Sequence, residues 1–234
     1  MKFYTSIHQH SNEILERYIE DGEHKQRKIP YMPTLYVKST RQSHLKTMHG
    51  EMVEPKMFNS IREARNFIHD HDGISNSPIY GMQQFTYAYI NEEYPTREFD
   101  VNQLTIFNFD IETKSDEGFP NIKEADKDIL SIAARCDGQS YILGCGDYKT
   151  SGDDIYIKCD GENDLLLKFI NLWQAKNPDI VTGWNIEMFD IPYTINRIRR
   201  CLGKEAVQRL SPWGIVNERL IPTAQSIASG DKTS

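Results

Sequence analysis

The sequence predicts an α/β protein in two parts, an α+β amino-terminal domain followed by a second α/β domain. Its 234 residues, of which 38% are hydrophobic, suffice to bury two modest cores. Most of the apolar runs alternate with polar residues at period two, which indicates strands. A polar stretch with a proline at 94–98 separates two hydrophobic blocks, so we place the domains at residues 1–100 and 101–214.

The amino-terminal domain is predicted to have the order β-β-β-α-β. Alternating or β-rich runs indicate strands at 2–7, 13–19 and 34–38. A turn between strands is expected at Asp21 and Gly22. Ser60 is expected to cap a helix, with Glu63 completing a capping box. The buried stripe of this helix would consist of Ile61, Ala64, Phe67 and Ile68.

The second domain is predicted to begin with a strand at 104–112. Further β-rich runs follow at 129–135, 141–145 and 155–158, the last being a short addition. A helix capped by Asn163 should end at Asn177, before Pro178. A strand at 179–184, buried on both faces, and a helix at 191–202 complete the domain. Three strands, helix, strand, helix is the order of a ribonuclease-H-like α/β fold.

Composition limits the classes of protein to be considered. The net charge is −7, and the excess of acidic over basic residues is larger in 101–234 (20 against 15) than in 1–100 (14 against 12). An acidic patch can hold metal ions, which in turn hold phosphates. No apolar run approaches the roughly 18 to 20 residues of a membrane helix, so a soluble, cytoplasmic protein without a membrane partner is expected. The irregularly spaced cysteines predict reduced, structural thiols.

Two groups of acidic residues are candidates for chemistry. Asp110 and Glu112 lie two apart on a predicted strand, so both side chains project from one face. Paired carboxylates are typical of a divalent-metal site, although a solvated face or a polar strand end would show the same pattern. Asp190 follows a predicted strand and precedes a helix, where sites of α/β sheets are favoured. Its alternative role is to cap that helix.

These residues resemble the exonuclease motifs of a known family. Phe109-Asp110-Ile111-Glu112 with Gly118-Phe119-Pro120 is similar to the first exonuclease motif of family B DNA polymerases, and residues 185–193 are similar to the second. Together with matching segments elsewhere in 1–214, they resemble the replicative polymerases of tailed bacteriophages. A phage-encoded protein would work in the cytoplasm of the host cell.

The resemblance implies a role for each matching residue. Asp110, Glu112 and Asp190 would be ligands of a two-metal Mg²⁺ or Mn²⁺ site for 3′→5′ proofreading during DNA replication, releasing nucleoside monophosphates. Phe119 would pack on the frayed 3′ end of the single-stranded primer, or merely on the domain surface. Asn185 would position the same strand or be structural.

The chain departs from the family pattern in one important respect. Family members carry a third exonuclease motif, a Tyr four residues before a further Asp, and neither this motif nor the polymerase motifs occur in the sequence. The exonuclease domain is therefore expected to be partial, and the isolated chain to be a poor exonuclease. We expect a split enzyme whose second polypeptide carries the rest of the polymerase; a truncated product is the alternative.

Three further expectations concern other residues. Polymerases that this sequence resembles use their amino-terminal region to bind RNA, so the resemblance implies, as an alternative, that the first hundred residues are a non-catalytic RNA-binding module, provided that their basic residues form one surface. These basic residues are Arg41, Lys46, Lys56, Arg62 and Arg65. Asp126, Asp128, Asp153 and Asp154 are predicted to be solvated loop acids. Residues 215–234 are too poor in apolar surface to offset their ordering entropy, which predicts a mobile tail.

Overall fold

The computed structural model describes residues 1–73, 77–96, 98–115 and 118–217. The chain forms two compact units, Met1–Leu104 and Thr105–Ser234, which we call the first and the second unit. The predicted mobile tail, 215–234, lies outside the described residues from position 218 onward. In the described part of the chain, no helix is both long enough and apolar enough to span a bilayer.

The first unit opens with an antiparallel sheet of three consecutive strands. These are β1 (Lys2–His10), β2 (Glu13–Glu20) and β3 (Glu23–Pro30). Asp21 and Gly22 connect β2 to β3 with φ angles of 53° and 83°, the backbone that a two-residue hairpin of type I′ requires. The predicted turn at these two residues is confirmed.

A second sheet and two helices complete the first unit. The order is β4 (Thr34–Lys38), β5 (Val53–Met57), α1 (Ile61–His71), β6 (Ile79–Tyr80) and α2 (Phe85–Glu93), with β4 between β5 and β6. Ser60 caps α1 by accepting a hydrogen bond from the Glu63 amide at 3.1 Å. The Glu63 carboxylate accepts from the Asn59 amide at 2.9 Å, one residue before the position that a capping box requires.

The predicted order β-β-β-α-β contained too few elements. Strands β3 and β5 and helix α2 were missed, since their sequences give weak periodic signals. Most of β3 is polar, β5 contains Pro55, and α2 has no strongly one-sided apolar stripe.

The second unit contains one five-stranded sheet in the order β10-β9-β8-β7-β11. Strands β7 (Ile106–Thr113), β8 (Ile129–Cys136) and β9 (Gln139–Gly144) are antiparallel neighbours. At the two edges, β10 (Ile155–Lys158) is parallel to β9, and β11 (Ile180–Thr182) is parallel to β7. The helices are α3 (Glu162–Lys176), α4 (Asp190–Leu202) and α5 (Lys204–Gln208).

This order agrees with the predicted ribonuclease-H-like α/β fold, but two details of the prediction were wrong. Helix α3 is capped by Gly161 rather than Asn163, because Glu162 already lies in its first turn and accepts the Ile129 amide at 2.7 Å. Strand β11 is not buried on both faces. It lies at the sheet edge, and the side chain of Ile180 is 42% exposed.

Strand β7 has one face in the hydrophobic core of the second unit and one face exposed to solvent. Phe107, Phe109 and Ile111 are buried and belong to the hydrophobic core of this unit. The aromatic rings of Phe169 and Trp173 on α3 lie within 6.3 Å of the Phe107 and Phe109 rings. The alternate residues of β7 therefore project to the opposite, exposed face.

Candidate active site

Asp110 and Glu112 lie on the exposed face of β7. They alternate with Phe109 and Ile111, which are only 2% and 5% exposed. Because β8 pairs with β7 along both positions and β11 pairs with its first half, the strand is held firmly where the carboxylates project. The packing of the inner face of β7 thus fixes the direction of both acidic side chains.

Asp190 is the first residue of α4 and is 3% exposed. Its Oδ1 accepts a hydrogen bond at 3.1 Å from the amide of Ile111, the residue between Asp110 and Glu112. The N-cap position is occupied by Phe189, which makes no side-chain capping bond. Asp190 therefore ties the start of α4 to the middle of β7.

The surroundings of Asp190 change its acidity. Burial raises the pKa of Asp190 above its ordinary value, and the hydrogen bond from Ile111 lowers that pKa in part. The negative charges of Asp110 and Glu112 raise it further. Neighbouring carboxylates disfavour each other's ionisation, and a cation between them removes that repulsion.

Carboxylate oxygens are the donors that hard cations such as Mg²⁺ and Mn²⁺ prefer. Within the residues that the structure describes, however, no three His, Cys, Asp or Glu side chains form a group able to hold a metal ion. The donor chemistry of Asp110, Glu112 and Asp190 thus fits a divalent ion, but this part of the chain does not assemble them into a three-ligand group.

Phe119 lies close in space to the start of α4, and Asn185 precedes α4 by a few residues in the sequence. The Phe119 side chain is 81% exposed, and its ring centroid lies 5.0 Å from that of Phe189, the residue before Asp190. Asn185 has a φ of 53°, and its carbonyl accepts the amides of Met188 and Phe189 at 3.0 and 3.1 Å. Asparagine tolerates this left-handed backbone, which forms the turn into α4.

Gly183 has a role that was not recognised from the sequence. A Cβ at this position would lie 2.6 Å from the carbonyl oxygen of Phe109 and 2.9 Å from Cδ1 of Ile186. Only glycine allows the chain after β11 to approach β7 so closely beside Asp110. A glycine at the end of a strand run was the available signal.

Arg197 on α4 is the second feature that was missed. It is 6% exposed, and it forms bonds of 2.6 and 2.7 Å to the two carboxylate oxygens of Glu162 on α3. It also pairs with Asp128, whose side chain is 56% exposed in the loop before β8; this acid is solvated as predicted, but it also bonds Arg197. A buried arginine on an amphipathic helix gives no signal in sequence that distinguishes it from an exposed one.

Comparison with known proteins gives matches that cover most of the chain. Residues 58–232 match the family model described as DNA polymerase family B, exonuclease domain. The chain is 33% identical over 250 residues to the DNA-directed DNA polymerase of Enterobacteria phage T4, covering 94% of this chain and 28% of that protein. It is 30% identical over 243 residues to the polymerase of Escherichia phage RB69, covering 90% and 27%.

A shorter part of the chain is similar to a polymerase from a different kind of virus. It is 34% identical over 100 residues to the DNA polymerase catalytic subunit of equine herpesvirus 2, which is 39% of this chain and 10% of that protein. The chain belongs to the family B DNA polymerases and contains their exonuclease region. It spans less than a third of the length of its phage relatives. The family resemblance stated from the sequence is confirmed.

Proposed function

We propose that the chain is the amino-terminal part of a replicative DNA polymerase and that Asp110, Glu112 and Asp190 act in its 3′→5′ proofreading exonuclease. The observation that carries the proposal is the hydrogen bond from Ile111 to Asp190, which brings a buried carboxylate to the strand that bears the other two. Carboxylates on a sheet face and at the start of the adjoining helix suit metal-assisted hydrolysis of a phosphodiester.

The three carboxylates would hold divalent ions, with Mg²⁺ or Mn²⁺ as the candidates. When bound, such ions activate a water molecule and stabilise the leaving 3′ oxygen. The residues of the chain would bind these ions and orient the substrate. Asp190 is held in place by Ile111 and by its position in α4, while Asp110 and Glu112 remain accessible to a substrate phosphate.

The proposed substrate is the single-stranded 3′ end of a DNA primer, and the product is a nucleoside monophosphate. Phe119 offers an exposed ring on which a terminal base can stack, an interaction that tolerates any sequence. Asn185 is exposed at the turn that leads to Asp190 and would contact the same strand.

We further propose that the site is completed by an acidic residue from the remainder of the polymerase. The proposal is supported by length, since the chain spans less than a third of its phage relatives and such a polymerase has many further residues that can supply a ligand. A missing metal ligand weakens ion binding and misplaces the reacting water.

The test is the shortening of a 5′-labelled single-stranded oligonucleotide with Mg²⁺ or Mn²⁺. The chain is assayed alone and after co-expression with a fragment that carries the rest of the polymerase, and EDTA provides the control. We expect stepwise release of mononucleotides only from the combined sample. Robust activity of the chain alone would contradict the need for a partner, and an inactive combined sample would contradict the nuclease function.

A second candidate function, binding of RNA by the first unit, is favoured by one observation. Arg62 and Arg65 of α1 line an open cleft of about 550 Å³ together with His8, Asn12 and other polar residues. Two arginines that line one cleft suit phosphate contacts. Replacing both arginines by alanine should then weaken binding of an RNA hairpin and reduce its salt dependence, whereas Arg41→Ala, outside the cleft, should not.

A further inference from the structure

One face of α4 is bonded to the chain segment that connects β7 to β8. Tyr193, Asn196, Arg197 and Arg200 recur at the spacing i, i+3, i+4 and i+7, which places them on one side of the helix. All four donate hydrogen bonds to backbone carbonyls in residues 118–128, which we call the β7–β8 segment. The acceptors are Lys127 at 2.7 Å, Ile122 at 2.9 Å, Ala125 at 2.9 Å and Glu124 at 3.0 Å, respectively.

Because these bonds end on backbone atoms, they fix the path of the β7–β8 segment rather than the conformation of its side chains. Phe119 lies near the beginning of this segment, and its ring contacts Phe189, which immediately precedes α4. The helix that begins with Asp190 therefore also holds the segment that carries the exposed Phe119 ring.

Tyr193 makes the most complete of these attachments. Its side chain is fully buried, and its hydroxyl donates to the Lys127 carbonyl at 2.7 Å while accepting the Lys127 amide at 3.1 Å. Its ring centroid lies 5.3 Å from that of Phe189, which in turn contacts Phe119. Tyr193 thus reaches the segment both through its hydroxyl and through a row of three aromatic rings.

We propose that Tyr193 is a positioning residue, which holds the β7–β8 segment so that the Phe119 ring faces a single-stranded 3′ end beside Asp190. The proposal rests on the proposed nuclease function for the identity of the ligand. Tyr193 touches no reacting atom in this scheme. It acts through Phe119, so the effect of changing Tyr193 on DNA binding should depend on whether Phe119 is present. A general contribution to stability would not depend on Phe119.

The experiment is a double-mutant cycle on the full chain. Binding of a fluorescent single-stranded DNA oligonucleotide is measured by anisotropy in EDTA for the unmodified chain, Tyr193→Phe, Phe119→Ala and the double variant. Tyr193→Phe keeps the buried ring and removes only the hydroxyl. Tyr156→Phe is the matched control, because its hydroxyl also donates to backbone carbonyls, those of Gly144 and Gly146, at the opposite edge of the sheet.

We expect Tyr193→Phe to raise the Kd for the oligonucleotide about fivefold to tenfold, the scale of one or two lost hydrogen bonds. In the Phe119→Ala background the same change should have no further effect. Amide hydrogen exchange in residues 118–128 should become faster in Tyr193→Phe and remain unchanged in Tyr156→Phe.

Equal effects of Tyr193→Phe in both backgrounds would overturn the proposal, as would unchanged exchange in the β7–β8 segment. Failure of the unmodified chain to bind the oligonucleotide would overturn it too. Because binding is measured without catalytic metal, a chain that binds DNA but never releases nucleotides would contradict the proposed nuclease and leave the coupling between Tyr193 and Phe119 measurable.

Discussion

The carboxylate of Asp190 is almost completely buried. Its pKa is raised by burial and by the charges of Asp110 and Glu112, so the folded chain binds this proton more tightly than the unfolded chain does. The ionised Asp190 carboxylate therefore destabilises the folded chain most when the pH is above the pKa of Asp190 in the folded state. This effect disappears as the pH falls below the unfolded value of about 4.

We predict that Asp190→Asn stabilises the metal-free chain at pH 7. The amide oxygen can still accept the Ile111 amide, whereas the buried charge is removed. Thermal unfolding in EDTA should show a midpoint higher by about 2 to 4 °C, the shift that about 1 kcal/mol causes in a chain of this size. The gain should vanish near pH 3.

The control for this prediction is Asp153→Asn, at an exposed position in the turn before β10, three strands away from β7 in the same sheet. It should change the midpoint little at either pH. A lower midpoint for Asp190→Asn at pH 7 would mean that folding stabilises the ionised carboxylate, which would contradict a raised pKa for Asp190.

Gly183 controls how closely the end of β11 approaches β7. Gly183→Ala would place a methyl group 2.6 Å from the Phe109 carbonyl, and that backbone must then move. We expect a loss of about 1 to 3 kcal/mol in the free energy of unfolding, the usual cost of overpacking, measured by urea titration. Gly146→Ala has nothing within 4 Å of its new methyl group and should be nearly neutral. Equal effects of the two changes would refute the steric argument.

At the scale of elements, Arg197 joins α4 to α3 and to the β7–β8 segment. Its guanidinium contacts Glu162, Asp128 and the Ala125 carbonyl while being almost fully buried. Removing one partner of a buried ionic group leaves the others without compensation. The stability of the second unit should therefore depend on this single side chain.

We predict that Arg197→Leu lowers the free energy of unfolding by about 3 kcal/mol or more in a urea titration. Arg209→Leu is the matched control, because Arg209 also bonds α3, at the exposed side chains of Asn171 and Gln174. Its loss should cost less than about 1 kcal/mol. Similar costs for both arginines would show that burial does not strengthen the Arg197 network.

The sequence was most informative where periodicity was strong. The alternation in β7 and the helical spacing of α4 allowed both elements to be predicted to within two residues at either end. Strand β3 escaped because most of its residues are polar. The start of α3 was misplaced because Gly161, which has no side chain to signal a cap, takes the position assigned to Asn163.

The candidate site was predictable only in part, because sequence spacing does not reveal contacts between distant residues. The period of β7 was enough to place Asp110 and Glu112 on one face. The bond between Asp190 and Ile111 spans 79 positions and was found only in the structure. Gly183 and Arg197 likewise owe their importance to partners far along the chain, Phe109 and Glu162.

At the scale of the whole molecule, the chain forms two units, and its residues 58–232 match the exonuclease domain of family B DNA polymerases. Its phage relatives are more than three times as long. The acidic excess of residues 101–234 suits the proposed exonuclease function, in which metal ions rather than basic side chains alone would contact the DNA phosphates.

The most direct test of the proposed exonuclease site is the rate at which the chain, combined with the rest of the polymerase, releases mononucleotides from a single-stranded primer with and without Asp110→Asn. We predict that Asp110→Asn lowers this rate by about 10³-fold, because the ligand acts mainly in the transition state, while polymerisation stays within about twofold. Asp153→Asn should leave both rates unchanged. Retention of nucleotide release in Asp110→Asn, or an equal loss of both activities, would contradict the assignment of the exonuclease site.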